Sequence, residues 1–287
     1  MSTPQPKDHW SSEKYQNAAN FVPQLATKVI HHLSPQPGDH ILDIGCGDGQ
    51  LTSALASQVG PTGRVLGLDA SPSFITTAKA TTNPHATAGT CSYALQDCTQ
   101  LASCAAAGAP ASWDKAFSNA AMHWILRDAA ARAPFFAAVH ALLKPGGSFA
   151  FEMGGAGNVA ELHAAFTGAL TSVGGLTLAQ ARAASPWFFP SEAWMRLALG
   201  EAGFEVKVCE SEYRPTRVTE ERGDGSGGLE GWVRLMGAAF LEAVEGEGRR
   251  DAVVRAVCEW VEDVVRREED GSRWIGYVRL RAVGVKR

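Results

Sequence analysis

Through the first 155 residues, short apolar runs alternate with longer stretches of helical periodicity. Ile41, Leu42 and Ile44 form a run with the length and β-branched content of a buried parallel strand. It stops at Gly45, Gly47 and Gly49, after which Leu51, Ala54, Leu55 and Val59 recur at helical spacing. The same logic predicts strands over 64–68, 91–95, 113–118 and 148–153. Helices are predicted over 8–33, over 71–81, where Ser71-Pro72 reads as an N-cap followed by an N1 proline, and over 128–143, closed by KPGG at 144–147. Strands alternating with helices at this spacing require parallel pairing, right-handed crossovers and a sheet covered on both faces.

Beyond residue 154 the alternation fades. Helical spacing recurs over 159–170 and 191–202, a sixth strand is predicted over 204–209, and a polar, glycine-rich loop spans 219–228. Amphipathic helices over 229–244 and 250–267 then lead to an alternating stretch, 273–285, that reads as a seventh strand. The expected fold is α/β: a doubly wound, mostly parallel seven-stranded sheet with a helical cap. Its expected parts are a ligand-binding core over 1–155, a linker and cap segment over 156–190, a continuation of the core over 191–215, a helical cap insertion over 216–270, and a last core strand over 271–287.

The glycine turn carries the chemistry. Glycines between a strand and the following helix let backbone approach a ligand closely, although such turns also serve packing alone. The dinucleotide pattern G-x-G-x-x-G sets a pyrophosphate on a helix N-terminus. Here the order is G-x-G-x-G, preceded by Asp43 and containing Asp48. Carboxylates repel a pyrophosphate, which disfavours a nicotinamide-dependent oxidoreductase; they suit an ammonium group, a sulfonium and ribose hydroxyls, which together describe S-adenosylmethionine. Asp69, at the end of the second strand, stands where a doubly wound fold places the acid that accepts from ribose hydroxyls.

Charge and cysteine usage narrow the setting. A formal net charge of -4 leaves no polyanion footprint, so nucleic acid is not an expected partner. The chain has no apolar leader at its start and no run of 18 apolar residues, so a cytoplasmic protein without a membrane span is expected. The six cysteines show no metal-ligand spacing and read as reduced thiols.

DIGCGDG with LDAS, Asp97 after the third strand, SNAAMHW (118–124) after the fourth and LKPGG before the fifth together resemble the class I S-adenosylmethionine-dependent methyltransferases. DHWSSEKY (8–15) and the late helices are similar to the trans-aconitate methyltransferase group and to related fungal small-molecule methyltransferases. The resemblance implies a Rossmann-like methyltransferase fold, S-adenosylmethionine as cofactor and S-adenosylhomocysteine as product. It assigns Gly45, Gly47, Gly49 and Asp43 to the methionine end of the cofactor, Asp69 to the ribose, Ala70 to the adenine face, Asp97 and Cys98 to the adenine edge, and the Asn119 backbone to the methionine moiety. For Asp97 the competing role is a turn or cap acid.

The remaining assignments concern the acceptor. Trp10, Tyr15 and Trp124 are candidates for flanking the sulfonium, where a cation on an aromatic face gains about 0.5–2 kcal/mol, and Tyr15 is favoured as a cofactor contact. Core packing is the alternative. Trp187, Phe188 and Phe189, within PWFFP, are candidates for lining the substrate pocket, with hydrophobic anchoring of the cap as the alternative. His123 is the leading general base, needed only for a hydroxyl or phenol acceptor, with His163 and Glu152 behind it. Arg214, Arg217 and Arg234 are candidates for steadying a carboxylate. The expected function is methyl transfer to a carboxylic acid, hydroxyl or phenol of a metabolite by a monomer or homodimer, and the alternative is a catalytically silent cofactor-binding scaffold.

Overall fold

The computed structural model describes residue 17 and residues 26–81 and 91–287. Seven strands, β1 (His40–Ile44), β2 (Arg64–Asp69), β3 (Cys91–Leu95), β4 (Trp113–Asn119), β5 (Leu143–Gly154), β6 (Phe204–Arg217) and β7 (Trp274–Lys286), form one sheet in the order β3-β2-β1-β4-β5-β7-β6. The first five pair in parallel, and β7 runs antiparallel between β5 and β6. Chain order reverses between β1 and β4. In an open α/β sheet a crevice forms beyond the carboxyl ends of the strands at that switch point.

Both faces of the sheet are covered, as a parallel sheet requires. One face carries α1 (Thr27–Leu33) and α2 (Gln50–Val59), whose Val29, Leu33, Leu55 and Val59 pack with Ile41 and Val65. The other carries α5 (Ala129–Leu142) and α8 (Glu192–Glu201), which bury Phe135, Phe136, Met195 and Leu199 against Leu42, Ile44 and Phe149. Between these lie α3 (Pro72–Thr81) and the one-turn α4 (Met122–Ile125). The expected cap at Ser71 is present, its hydroxyl accepting from the Phe74 N–H at 3.2 Å.

Above the crevice lie α6 (Ala160–Ser172), α7 (Leu178–Ala183), α9 (Gly228–Met236), α10 (Ala238–Glu242) and α11 (Glu247–Val265). They share a hydrophobic core that joins chain segments preceding and following β6 in sequence, from Leu162 and Phe166 to Trp232, Phe240 and Val257. The helix expected over 229–244 is broken at Gly237, where a Cβ would stand 2.1 Å from Phe166 Cζ. Glycine lets the broken helix cross α6 closely, and the Phe166 and Phe240 rings stack with centroids 4.6 Å apart.

Two other expectations need correction. KPGG does not stand outside β5 but lies within it, as a bulge that shifts the register from Trp113↔Leu143 to Lys115↔Ser148. Strand β6 does not stop at Cys209: it runs on to Arg217, paired with β7 down to Arg217↔Trp274. ESEYRPTR looks unlike a strand because it forms a sheet edge, where polar side chains and a proline are tolerated. Of the helix expected over 8–33, only residue 17 and residues 26–33 fall within the described residues, and the helix described there is Thr27–Leu33.

Candidate functional site

The crevice at the switch point is a cavity of about 300 Å³, walled by the glycine turn at one end and by the cap at the other. At the turn the chain leaves β1 through Gly45 (φ +76°), Gly47 (φ +56°) and Gly49 (φ +82°), all left-handed. Gly45 also needs its missing side chain, because a Cβ would stand 2.1 Å from Ala121 Cβ. The Gly45 and Cys46 N–H groups both donate to Leu68 O, at 2.8 and 3.0 Å, which ties the turn to β2.

Asp69 completes that tie. Its Oδ2 accepts from the Gly47 N–H and its Oδ1 from the Ser71 N–H, both at 2.9 Å, and a carboxylate with about four acceptor sites keeps capacity for hydroxyls. Asp43 is 2% exposed and accepts from the Thr52 hydroxyl at 2.6 Å. Burial, opposed by that bond and reinforced by the charge of Asp69, pushes its carboxyl up to about 7. Ala70, Cys98 and Asn119 also line the cavity. Burial raises the Cys98 thiol well above its ordinary value, so it is a packed, inert group.

Asp97 takes the competing role at least in part: its Oδ1 accepts from Thr99 N at 2.9 Å and Thr99 Oγ1 at 2.7 Å, capping a short 3₁₀ turn, while the residue still lines the cavity. The Asn119 backbone lies in the β4–β5 ladder, opposite Glu152. Its side chain is the functional surprise, since the buried Oδ1 has no hydrogen-bond partner among the described residues. A buried, unsatisfied acceptor is costly unless a ligand supplies a donor. An ammonium group does so, and the left-handed turn, Asp43 and Asp69 likewise fit S-adenosylmethionine.

His123 is 7% exposed and lines the cavity. Burial, with the nearby charge of Arg279, drives its imidazole down to about 3 rather than leaving it near 6.5, so the ring is neutral at physiological pH and a weak proton acceptor. Its Nδ1 accepts from the Gly154 N–H at 3.4 Å. Trp124 and Trp187 line the cavity with ring centroids 5.9 Å apart. Trp10 and Tyr15 lie outside the described residues.

The secondary acceptor candidates fall elsewhere. His163 packs among Trp187, Phe189 and Phe240 and does not line the cavity. Glu152, 2% exposed, is bound by Arg214 at 2.8 Å and Arg281 at 2.7 Å and does not line the cavity. Arg217 pairs with Glu220, and Arg234 with Glu230 and Asp251, outside the cavity.

Phe189 of the PWFFP cluster also lines the cavity, and residues not singled out from the sequence complete the cap end: Asn158, Val159, Trp232, Tyr277 and Arg279. Tyr277, Arg279 and Arg281 alternate along β7 at period two, the one signal that placed them on a common face. Ala120 (φ +56°) and Val159 (φ +45°) are left-handed without being glycine, the kind of strain that gathers at functional sites.

Residues 41–147 match the profile of the family described as "Methyltransferase domain". An uncharacterised methyltransferase of Schizosaccharomyces pombe is 34% identical over 284 residues, spanning 98% of this chain and 99% of that one. The chain belongs to the class I S-adenosylmethionine-dependent methyltransferases. This methyltransferase is also 30% identical, over 119 residues, to a trans-aconitate 2-methyltransferase of Streptomyces avermitilis, covering 40% of this chain and 41% of the relative. The fold of the methyltransferase matches the crystal structure of a putative methyltransferase from Bacillus halodurans with a TM-score of 0.61 at 14% identity, over 92% of this chain and 99% of that one. Among its described residues, no helix is long and apolar enough to cross a membrane.

Proposed function

We propose that this methyltransferase moves a methyl group from S-adenosylmethionine to a small-molecule acceptor inside the cavity between the glycine turn and the cap. One observation supports the proposal: a single cavity is lined from Gly45, Asp69 and Asn119 to Trp187, Trp232 and Arg279, which gives cofactor and acceptor one shared space. Gly45, Gly47 and Gly49 with Asp43 hold the methionine end, together with the side-chain oxygen of Asn119. Asp69 holds the ribose, and Ala70, Asp97 and Cys98 surround the adenine.

When bound, the cofactor supplies a methyl carbon already made electrophilic by its sulfonium; an acceptor lone pair forms the new bond as the C–S electrons pass to sulfur, leaving S-adenosylhomocysteine. The protein therefore works mainly by alignment, which supplies roughly 7–11 kcal/mol when geometry is held. Trp124 and Trp187 form apolar walls that keep water from the acceptor. His123, neutral and tied to the Gly154 N–H, positions the acceptor rather than taking its proton.

Titration calorimetry with S-adenosylhomocysteine, followed by mass-spectrometric detection of labelled methyl transfer into a metabolite extract, tests the proposal. Binding with transfer to a low-mass product is expected. Binding without any transfer would favour the silent scaffold, and transfer only to macromolecules would overturn the small-molecule acceptor.

A further inference from the structure

The charges lining the cavity are segregated. All four of its acids, Asp43, Asp48, Asp69 and Asp97, come from the glycine-turn half, where the cofactor's ammonium and sulfonium are expected. The cap half is lined by Val159, Trp187, Phe189, Trp232, Met236 and Tyr277, and its polar members among the described residues are His123, Asn158 and Arg279.

The polar groups of the cap half are engaged within the protein. Trp232 Nε1 donates to the Tyr277 hydroxyl at 2.7 Å, so the polar tips of these two rings meet each other, and burial raises the Tyr277 phenol and keeps it neutral. Asn158 Oδ1 accepts from the Val278 N–H at 2.9 Å. His123 Nδ1 accepts at 3.4 Å from the N–H of Gly154, the register partner of Arg279, and burial holds the ring uncharged.

Arg279 is the one cation lining this half, and its charge is matched. It is 3% exposed, lies over the Tyr277 ring at 4.5 Å and pairs with Glu152 at 3.8 Å. Glu152 also binds Arg214 and Arg281, and Arg281 in turn binds Glu210 and Glu212. Three guanidiniums thus meet three carboxylates, and the network reaches solvent at Lys28, which pairs with Glu212.

We propose that the cap half selects an uncharged, largely apolar methyl acceptor. The inference deepens the function proposed above and rests on it. An anion would give up its hydration for a guanidinium that already holds a carboxylate. A cation would meet Arg279 with no acid among the lining residues of that half, and this repulsion opposes the attraction of aromatic faces. An uncharged acceptor gives up little hydration and gains burial against the apolar lining. Of the acceptors expected from the sequence, this keeps the hydroxyl or phenol and sets the carboxylic acid aside.

The test uses the full chain saturated with S-adenosylhomocysteine and two sets of probes matched in shape: hexan-1-ol, hexanoate and hexylammonium, and 2-naphthol, 2-naphthoate and 2-naphthylmethylammonium. Calorimetry and ligand-observed NMR at pH 7 and millimolar concentration read their affinities. At least one neutral probe is expected to bind roughly tenfold or more tightly than both of its charged counterparts. Glu152→Gln, which keeps the shape but removes the charge opposite Arg279, is expected to strengthen the matching carboxylate about tenfold relative to the neutral probe. Arg279→Met, which leaves Glu152 with Arg214 and Arg281, decides the same point if Glu152→Gln does not fold: carboxylate binding should stay within about threefold of wild type.

A carboxylate or an ammonium that binds wild type as tightly as its neutral counterpart overturns the proposal, as does a lack of binding by both neutral probes. So does a folded Glu152→Gln variant with no gain for the carboxylate, or a tenfold loss of carboxylate binding in Arg279→Met. Failure of the wild-type protein to bind S-adenosylhomocysteine would instead overturn the function proposed above.

Discussion

Replacing Gly45 by alanine tests whether the glycine turn is held by tertiary contact or only by its own backbone. Two costs are separable. The left-handed conformation, φ +76°, costs an L-residue about 1–2 kcal/mol. The new methyl group would stand 2.1 Å from Ala121 Cβ, far inside the usual carbon contact distance of about 3.5–4.0 Å, and overpacking of this kind costs about 1–3 kcal/mol. Gly45→Ala should therefore lose about 2–5 kcal/mol in urea unfolding with an unchanged m-value. Cofactor affinity should fall as well, since Gly47 N–H moves off Asp69 when the turn shifts. Adding Ala121→Gly removes the collision, because the next nearest atom, Ala121 Cα, lies at an ordinary 3.7 Å. The double variant should recover the overpacking part, about 1–3 kcal/mol, and keep the backbone part. A single variant within about 0.5 kcal/mol of wild type, or a double variant that recovers nothing, would refute the role of this close approach.

Three further outcomes are expected. Asp69→Ala should weaken S-adenosylhomocysteine binding about 10-fold to 100-fold by calorimetry, since it removes a charged acceptor and frees the turn; unchanged affinity in a folded variant would sink the ribose assignment. Asp43, near 7 before the cofactor arrives, should lose its proton as the ammonium and sulfonium charges approach, so affinity should rise with pH up to about 7 and binding should release protons. Calorimetry in buffers of different ionisation enthalpy reads this release, and Asp43→Asn should abolish it. His123, held near 3 when folded against about 6.5 unfolded, should contribute stability that is present above about 6.5 and lost as pH falls toward 3, while kcat shows no limb near 6.5. A wild-type limb at that pH that vanishes in His123→Gln would restore the general-base role.

Local chemistry was enough to place the glycine turn and its acids at the switch point. Gly45, Gly47 and Gly49 end an apolar strand, and Asp69 ends the next one, so period and turn residues alone located the switch point and its acids. All of these are close in sequence and belong to one βαβ unit, where spacing translates directly into space. The cap half was opaque for the opposite reason. Asn158, His123 and Arg279 are separated by more than a hundred residues of chain at their extremes, and only the antiparallel return of β7 beside β5 sets Arg279 opposite Gly154. Charge in ESEYRPTR hid a strand because its glutamates face Arg281 across the β6–β7 pair, a partnership no periodicity records. The histidine of SNAAMHW could be found by its motif, but its environment could not: what surrounds a titratable group is made by everything packed around it, and burial with a guanidinium nearby pushes the His123 imidazole down to about 3.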